Sequence, residues 1–340
     1  MIARRAAVNN DLLADEIHVQ KANAIGDPLQ KIEAVVDFSA LAQAVEKIAP
    51  RPEQPKGGRP PYPTEVMVRV LVVKRLHGLS DEQTEFQLLD RRSFRRFCGL
   101  EHSRNIPDRT TIWSFENRIG VDGVTALFND LDRQIRAHGL EARAGQIVDA
   151  TLVPAPKQHF TKEEKTLLEQ DAVPADWKPT KRRQKDVDAS WTKKHGKSHH
   201  GYKFTVSVDR KHKFVRTWIA DTAKVHDSQH LEAALDEWNT SAEIYADKGY
   251  VGAEREERLR EQGYRPQIQR KAKPGKPLSA CQERRNQRIA KVRARVEHVF
   301  AAITQWGGKK IRTIGQARAT FAMGMMVIVY NMRRLAFLGA

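Results

Sequence analysis

The apolar residues of this 340-residue chain change their spacing once, near Gly145, and that change limits the fold to a helical first part followed by a mixed α/β part. Before it, Asp37 precedes Leu41, Val45 and Ile48 at helical spacing. Thr64 reads as the cap of a helix containing Val66, Val70, Val73 and Leu76, which Gly78 stops, and Ser80 opens another. Two further helices are expected at about 110–118 and 122–138. Pro50, Pro52, Pro55 and the run Gly57-Gly58-Arg59-Pro60-Pro61-Tyr62-Pro63 form a linker between them and the first helices.

After Gly145 the runs are short and continuous. Ile147 to Val153 reads as a strand, and Tyr202 to Val208 with Phe214 to Ala220 as a hairpin around the polar turn 209–212. The lysine-rich insertion 154–200 carries one capped helix near Thr161 and little else. A helix through Leu231, Leu235 and Trp238 is expected to lead to a short strand, Glu243 to Ala246, that stops at Asp247. A polar helix at about 253–262, an extended piece near 266–269, a long helix from about Arg284 to Gln305 and an apolar helix near the C-terminus complete the order. This succession implies a mixed sheet covered by helices.

A formal charge of +17 and a pI near 9.9 point to a polyanionic partner, and basic residues recur from position 51 to the C-terminus, which suits a long polyanion better than a small acidic ligand. Cys98 and Cys281 alone make neither a zinc ribbon nor a disulfide framework. The N-terminus has no apolar leader and the stretch Phe321 to Tyr330 is shorter than a bilayer-spanning helix, so no membrane contact is read and a cytoplasmic place, at the nucleoid, is expected. Gly196-Lys197-Ser198 imitates the end of a phosphate-binding loop, but Trp191 holds the upstream position that needs glycine, which argues against a nucleotide cofactor.

The spacing and the turns set the expected organisation: a helical segment at 1–56, a linker at 57–63, a domain at 64–140 that reads as helix-turn-helix-like and DNA-binding because short helices, tight turns and arginines occur together, and a catalytic α/β domain at 141–340. Arginines at 91, 92, 95 and 96 also suit a helical domain that serves only packing. Lys181, Arg182, Arg183, Lys193, Lys194 and Lys203 are candidate phosphate contacts. Among them, Trp191 either stacks on an unpaired base or packs its loop against the sheet.

Three acids stand apart from this basic background. Asp149 lies in the middle of an apolar strand, where a carboxylate must be protonated, paired with an arginine or bound to a metal. Asp247 stops a strand, where α/β sheets present ligand-binding groups, although it also suits a turn before Gly249. Glu297 rides beside the apolar stripe of the long helix, where an ordinary ion pair with Arg293 is the alternative. Gathered together, three carboxylates would supply the oxygen ligands of two Mg²⁺ ions, which stabilise attacking and leaving oxygens in phosphodiester chemistry. Asp209 reads as a hairpin-turn residue and Asp227 as a helix cap.

The ordered set Val148-Asp149-Ala150-Thr151, Asp188-Ala189-Ser190-Trp191-Thr192-Lys193-Lys194, Gly201-Tyr202-Lys203, Val225-His226-Asp227-Ser228, Ala246-Asp247-Lys248-Gly249-Tyr250 and Arg293 to Phe300 resembles the bacterial insertion sequence transposases of the family numbered five. The resemblance covers most of the chain. It implies a ribonuclease H-like catalytic domain, preceded by an all-α domain for DNA binding or oligomerisation, with Asp149, Asp247 and Glu297 as the catalytic and metal-holding triad. Two Mg²⁺ ions per site, replaceable by Mn²⁺, are implied, with double-stranded DNA at the element ends and target as partner. The implied reaction is hydrolytic cleavage at an element end followed by attack of the freed 3′ hydroxyl on target DNA. A homodimer or higher oligomer would bring the two ends together. Lys248, Arg293, Lys309 and Lys310 join the DNA contacts, while Thr304 stands where relatives often carry lysine.

Overall fold

A computed structural model of the protein describes residues 11–51, 60–170, 172–194, 196–305 and 310–339. Its first part, up to Ala137, contains helices and no strand among the described residues. These are α1 (Ala14–Ile25), α2 (Pro28–Glu33), α3 (Phe38–Ile48), α4 (Thr64–Leu76), α5 (Asp81–Asp90), α6 (Arg92–Phe97) and α7 (Arg109–Ala137). Asp37 caps α3 by accepting the Ala40 N–H, and Ser80 with Gln83 closes a capping box on α5. Thr64 is the first residue of α4 rather than its cap, because Pro63 precedes it and the Thr64 hydroxyl is held by Arg51 at 3.1 Å. The two helices expected between 110 and 138 meet inside α7, where Gly120 (φ 53°, ψ −153°) breaks the helical backbone at an angle that glycine adopts freely. Of the expected linker, residues 57–59 lie outside the described residues.

One six-stranded sheet follows, made of β1 (Gln146–Pro154), β2 (Ser190–Lys194), β3 (Lys197–Asp209), β4 (Val215–Thr222), β5 (Glu243–Ala246) and β6 (Arg265–Ile268). The long β3 pairs antiparallel with β1 on one edge; on the other it pairs first with β2 and then with β4. On the far side of β1, β5 and β6 add in parallel. Gly201 allows β1 and β3 to close: a Cβ there would stand 2.2 Å from the Val153 carbonyl oxygen. The remaining helices are α8 (Lys162–Glu169), α9 (Pro179–Gln184), α10 (Ala253–Glu261), α11 (Ala280–Gln305) and α12 (Gln316–Leu338).

Because side chains alternate across a strand, the sheet has two apolar faces. Ile147, Phe204, Val206, Val208 and Tyr245 join α7, α11, α12 and the N-terminal helices in one buried cluster. Val148, Ile244 and Ala246 face a smaller one with Leu231, Leu259 and Ile268. α12 is long and apolar enough to cross a bilayer by composition, yet 72% of its most apolar window is buried inside the protein, as the core helix of this fold. Its Asn331 is fully buried and matches the edge of β4, accepting the Val215 N–H at 3.0 Å and donating to the Val215 carbonyl at 2.8 Å.

Two expectations are corrected. The helix through Leu231, Leu235 and Trp238 is absent; a single 3-10 turn, Asp227–His230, is followed by further turns. The apolar spacing is real, for Leu231 is buried, but the Asp236 N–H donates to the Gln146 side chain at 2.8 Å instead of continuing a helical ladder. The insertion 154–200 also holds more than one helix, since α9 and β2 lie within it and β2 extends the sheet.

Candidate active site

Asp149 and Asp247 become neighbours through strand pairing. The parallel register sets Ile147 beside Tyr245, and two residues further along each chain come Asp149 and Asp247, on the face those two side chains share. There β5 ends, and Asp247 turns out of the sheet to cap a 3-10 turn, Lys248–Tyr250, accepting the Gly249 N–H at 2.7 Å. A Cβ at position 249 would lie 2.9 Å from the Asp247 Oδ1 atom, so a larger residue than Gly249 would make that carboxylate shift.

α11 packs over the same face through Ile289, Val296, Val299, Phe300 and Ile303. Its Arg293 reaches down to Asp149: Nη2 donates to Asp149 Oδ2 at 2.9 Å and Nη1 to Gln269 Oε1 at 3.1 Å. Asp149 Oδ1 accepts the Ala150 N–H at 2.9 Å. One turn after Arg293, Glu297 is exposed and forms no ion pair among the described residues. Burial pushes the Asp149 carboxyl up to about 6; Arg293 and the Ala150 N–H oppose the rise, and the charges of Asp247 and Glu297 reinforce it.

The three acids therefore share one electrostatic neighbourhood, but they do not surround one point. Among the described residues no group of three His, Cys, Asp or Glu side chains is gathered closely enough to hold a metal ion. The donor set has the right chemistry for a hard divalent cation, being carboxylate oxygen throughout and carrying an excess of negative charge around Asp149. Arg293, already on Oδ2, would compete in charge with such a cation at Asp149.

A fourth acid and a phenol complete the surroundings. Asp227 is not a helix cap, a place taken by His226; it lies at the start of its 3-10 turn and pairs with Lys203 Nζ at 2.6 Å. Tyr250 is buried, and the carboxylates of Asp149, Asp227 and Asp247 all act on its hydroxyl. In the sequence it is signalled by its place at the end of the stretch Ala246-Asp247-Lys248-Gly249-Tyr250, with no role of its own attached. Asp209 serves the β3–β4 turn as expected, accepting the His212 and Phe214 N–H groups at 2.6 and 3.0 Å.

The candidate DNA contacts divide into two groups. Arg182, Arg183, Lys193, Lys248, Lys310 and Trp191 are exposed. Lys181 shares Glu164 with the indole N–H of Trp177, and Glu164 is held down to about 2 by Lys181, the Thr161 N–H and Trp177. Lys203 is corrected from surface cation to interior one: it is 6% exposed, with its ammonium between Asp227 and the Val225 carbonyl. Arg293 likewise spends its guanidinium on Asp149 and Gln269. Lys309 and the Lys194 side chain lie outside the described residues. Thr304, in the place where lysine was looked for, bonds back to the Phe300 carbonyl at 2.8 Å.

Residues 141–332 match the family model described as Transposase DDE domain, and residues 17–118 match a second model, Transposase domain (DUF772). Among solved structures, the piggyBac transposase synaptic complex with hairpin DNA, determined by cryo-EM, superposes with a TM-score of 0.46 at 12% identity, over 92% of this chain and 75% of that one.

Proposed function

The chain belongs to the Transposase DDE domain family, and on that premise we propose that it binds the terminal inverted repeats of an insertion sequence and catalyses metal-dependent DNA cleavage and strand transfer. The observation that carries this reading is that Asp149 lies two residues beyond the last β1–β5 pair, as Asp247 does at the end of β5, and that the charges of Asp247 and Glu297 both act on the Asp149 carboxyl. The pairing of β4, β3 and β1 as antiparallel neighbours, with β5 and β6 added in parallel and β2 extending the free edge of β3, supports a ribonuclease H-like catalytic unit.

Asp149, Asp247 and Glu297 would hold two Mg²⁺ ions, which supply charge stabilisation at the attacking and leaving oxygens of the phosphodiester. The chain's own part is to position and neutralise. Arg293, released from Asp149, would take two phosphate oxygens in the bidentate geometry that guanidinium favours. Lys248, exposed directly after Asp247, adds positive charge at the same edge. Arg182, Arg183 and Lys193 extend the basic surface along the insertion, and Trp191, 45% exposed, offers a ring to an unstacked base. An element has two ends, so the working assembly would contain at least two copies of the chain. Double-stranded DNA would be its partner and, with it, the nucleoid its place in the cell.

The test uses a labelled duplex carrying an element end. Asp149→Asn, Asp247→Asn and Glu297→Gln should each lower cleavage and strand transfer by several orders of magnitude while leaving affinity for the duplex nearly unchanged. Cleavage retained in any one variant removes that residue from the site.

A further inference from the structure

Tyr250 is 1% exposed, and its ring packs with Val148 and Ala246, the residues that directly precede Asp149 and Asp247 in their strands. Its hydroxyl is buried without a hydrogen-bond partner among the described residues. A buried hydroxyl that donates to nothing destabilises a fold, and phenylalanine would fill the same space without that penalty. The hydroxyl is therefore a feature the resting packing does not explain.

Its surroundings show what it is suited to meet. Burial, and after it the charges of Asp149, Asp227 and Asp247, hold the phenol well above its ordinary pKa, so it remains a donor throughout the physiological range. Asp149 presently receives two donors, the Ala150 N–H on Oδ1 and Arg293 on Oδ2. A cation on Asp149 would repel the guanidinium, and ligating carboxylates hold their orientation through outer hydrogen-bond donors. We propose that Tyr250 is a positioning residue whose hydroxyl donates to the Asp149 and Asp247 carboxylates when they turn to a divalent cation. The inference rests on the reading of those two acids as cation ligands.

The experiment measures Mn²⁺ affinity without DNA, by electron paramagnetic resonance of the free ion, on the full chain and on Tyr250→Phe and Asp149→Asn. Melting of each metal-free protein is recorded in parallel. Loss of an outer donor of this kind typically weakens metal binding about 10–100-fold, so Tyr250→Phe should raise the apparent Kd by about tenfold or more. Its metal-free melting temperature should stay level or rise, because no hydrogen bond is lost. An unchanged Kd overturns the proposal, and so does a lowered metal-free melting temperature, which would show that the hydroxyl has a structural partner. Should Asp149→Asn itself leave Mn²⁺ affinity intact, the acidic site falls and Tyr250 falls with it; weakened binding in Asp149→Asn beside an unaffected Tyr250→Phe removes Tyr250 alone.

Discussion

Arg293 Nη2 lies 2.9 Å from Asp149 Oδ2, so a guanidinium stands on a carboxylate that the proposed chemistry assigns to a cation. A guanidinium and a divalent cation on one carboxylate repel, so each weakens the hold of the other. DNA and metal should consequently favour one another's binding, since a phosphate that draws Arg293 away frees the carboxylate.

Arg293→Gln is accordingly expected to bind Mn²⁺ more tightly than the natural protein in the absence of DNA, and to bind element ends more weakly. Titration calorimetry with each ligand separately reads both effects. Equal Mn²⁺ affinity in the two proteins would falsify the competition.

The raised carboxyl of Asp149 gives a pH signature. Its folded pKa of about 6 stands above the ordinary 3.8, so the proton is bound more tightly in the folded state. Stability from this group is full below pH ~4 and is lost as pH rises through ~6, a change on the order of 3 kcal/mol. Asp149→Asn, which carries no such titration, should gain stability relative to the natural protein between pH 4 and pH 7. Metal-free urea melts at pH 4.5 and pH 7.5 measure the difference, and a gap that does not widen with pH contradicts the assignment. Cleavage should fall as pH drops through about 6, because only the carboxylate form attracts a cation.

Lys203 and Asp227 make an interior pair whose members are unequally exposed, 8% and 37% for their side chains. Asp227→Asn leaves the buried ammonium without its carboxylate and should cost about 1–2 kcal/mol, less than a fully buried pair because Asp227 is partly solvated. Lys203→Met should cost less, since it removes the charge that needs the partner. It should also leave the salt dependence of DNA binding unaltered, and a slope that drops by about one would return Lys203 to the DNA surface.

Much of this arrangement is written locally. An aspartate inside Ile147 to Val153 and another at the stop of Glu243 to Ala246 could be singled out from neighbouring residues alone, and so could the α8 capping box at Thr161. What escapes such reading depends on partners distant in the chain. Lys203 lies in a motif that looks like part of a basic surface, but strand alternation turns it inward toward Asp227, 24 positions on. β2 is polar and lacks apolar alternation, as an edge strand can, so only its pairing with β3 reveals it. The spacing around Leu231 is helical, and a side chain from β1, Gln146, diverts the backbone. The pairing of Arg293 with Asp149 joins residues 144 positions apart, and spacing within α11 alone points instead to Glu297.

The basic insertion allows the surface contacts to be counted. Lys181, Arg182 and Arg183 are adjacent in sequence and all exposed, yet Lys181 is already tied to Glu164 at 2.6 Å, with its ammonium 5.0 Å from the Trp177 ring. A cation held by its own carboxylate releases little counterion on meeting a phosphate, whereas Arg182 and Arg183 remain available. Each phosphate neutralised contributes about 0.9 to the slope of log affinity against log salt on duplex DNA. Neutralising all three residues should therefore flatten the slope by about two rather than about three, and Lys181→Gln alone should scarcely move it. Fluorescence anisotropy across a salt series separates the cases. An unchanged slope in the triple variant places the DNA elsewhere, and a full unit lost in Lys181→Gln shows that Glu164 yields its lysine to the phosphate.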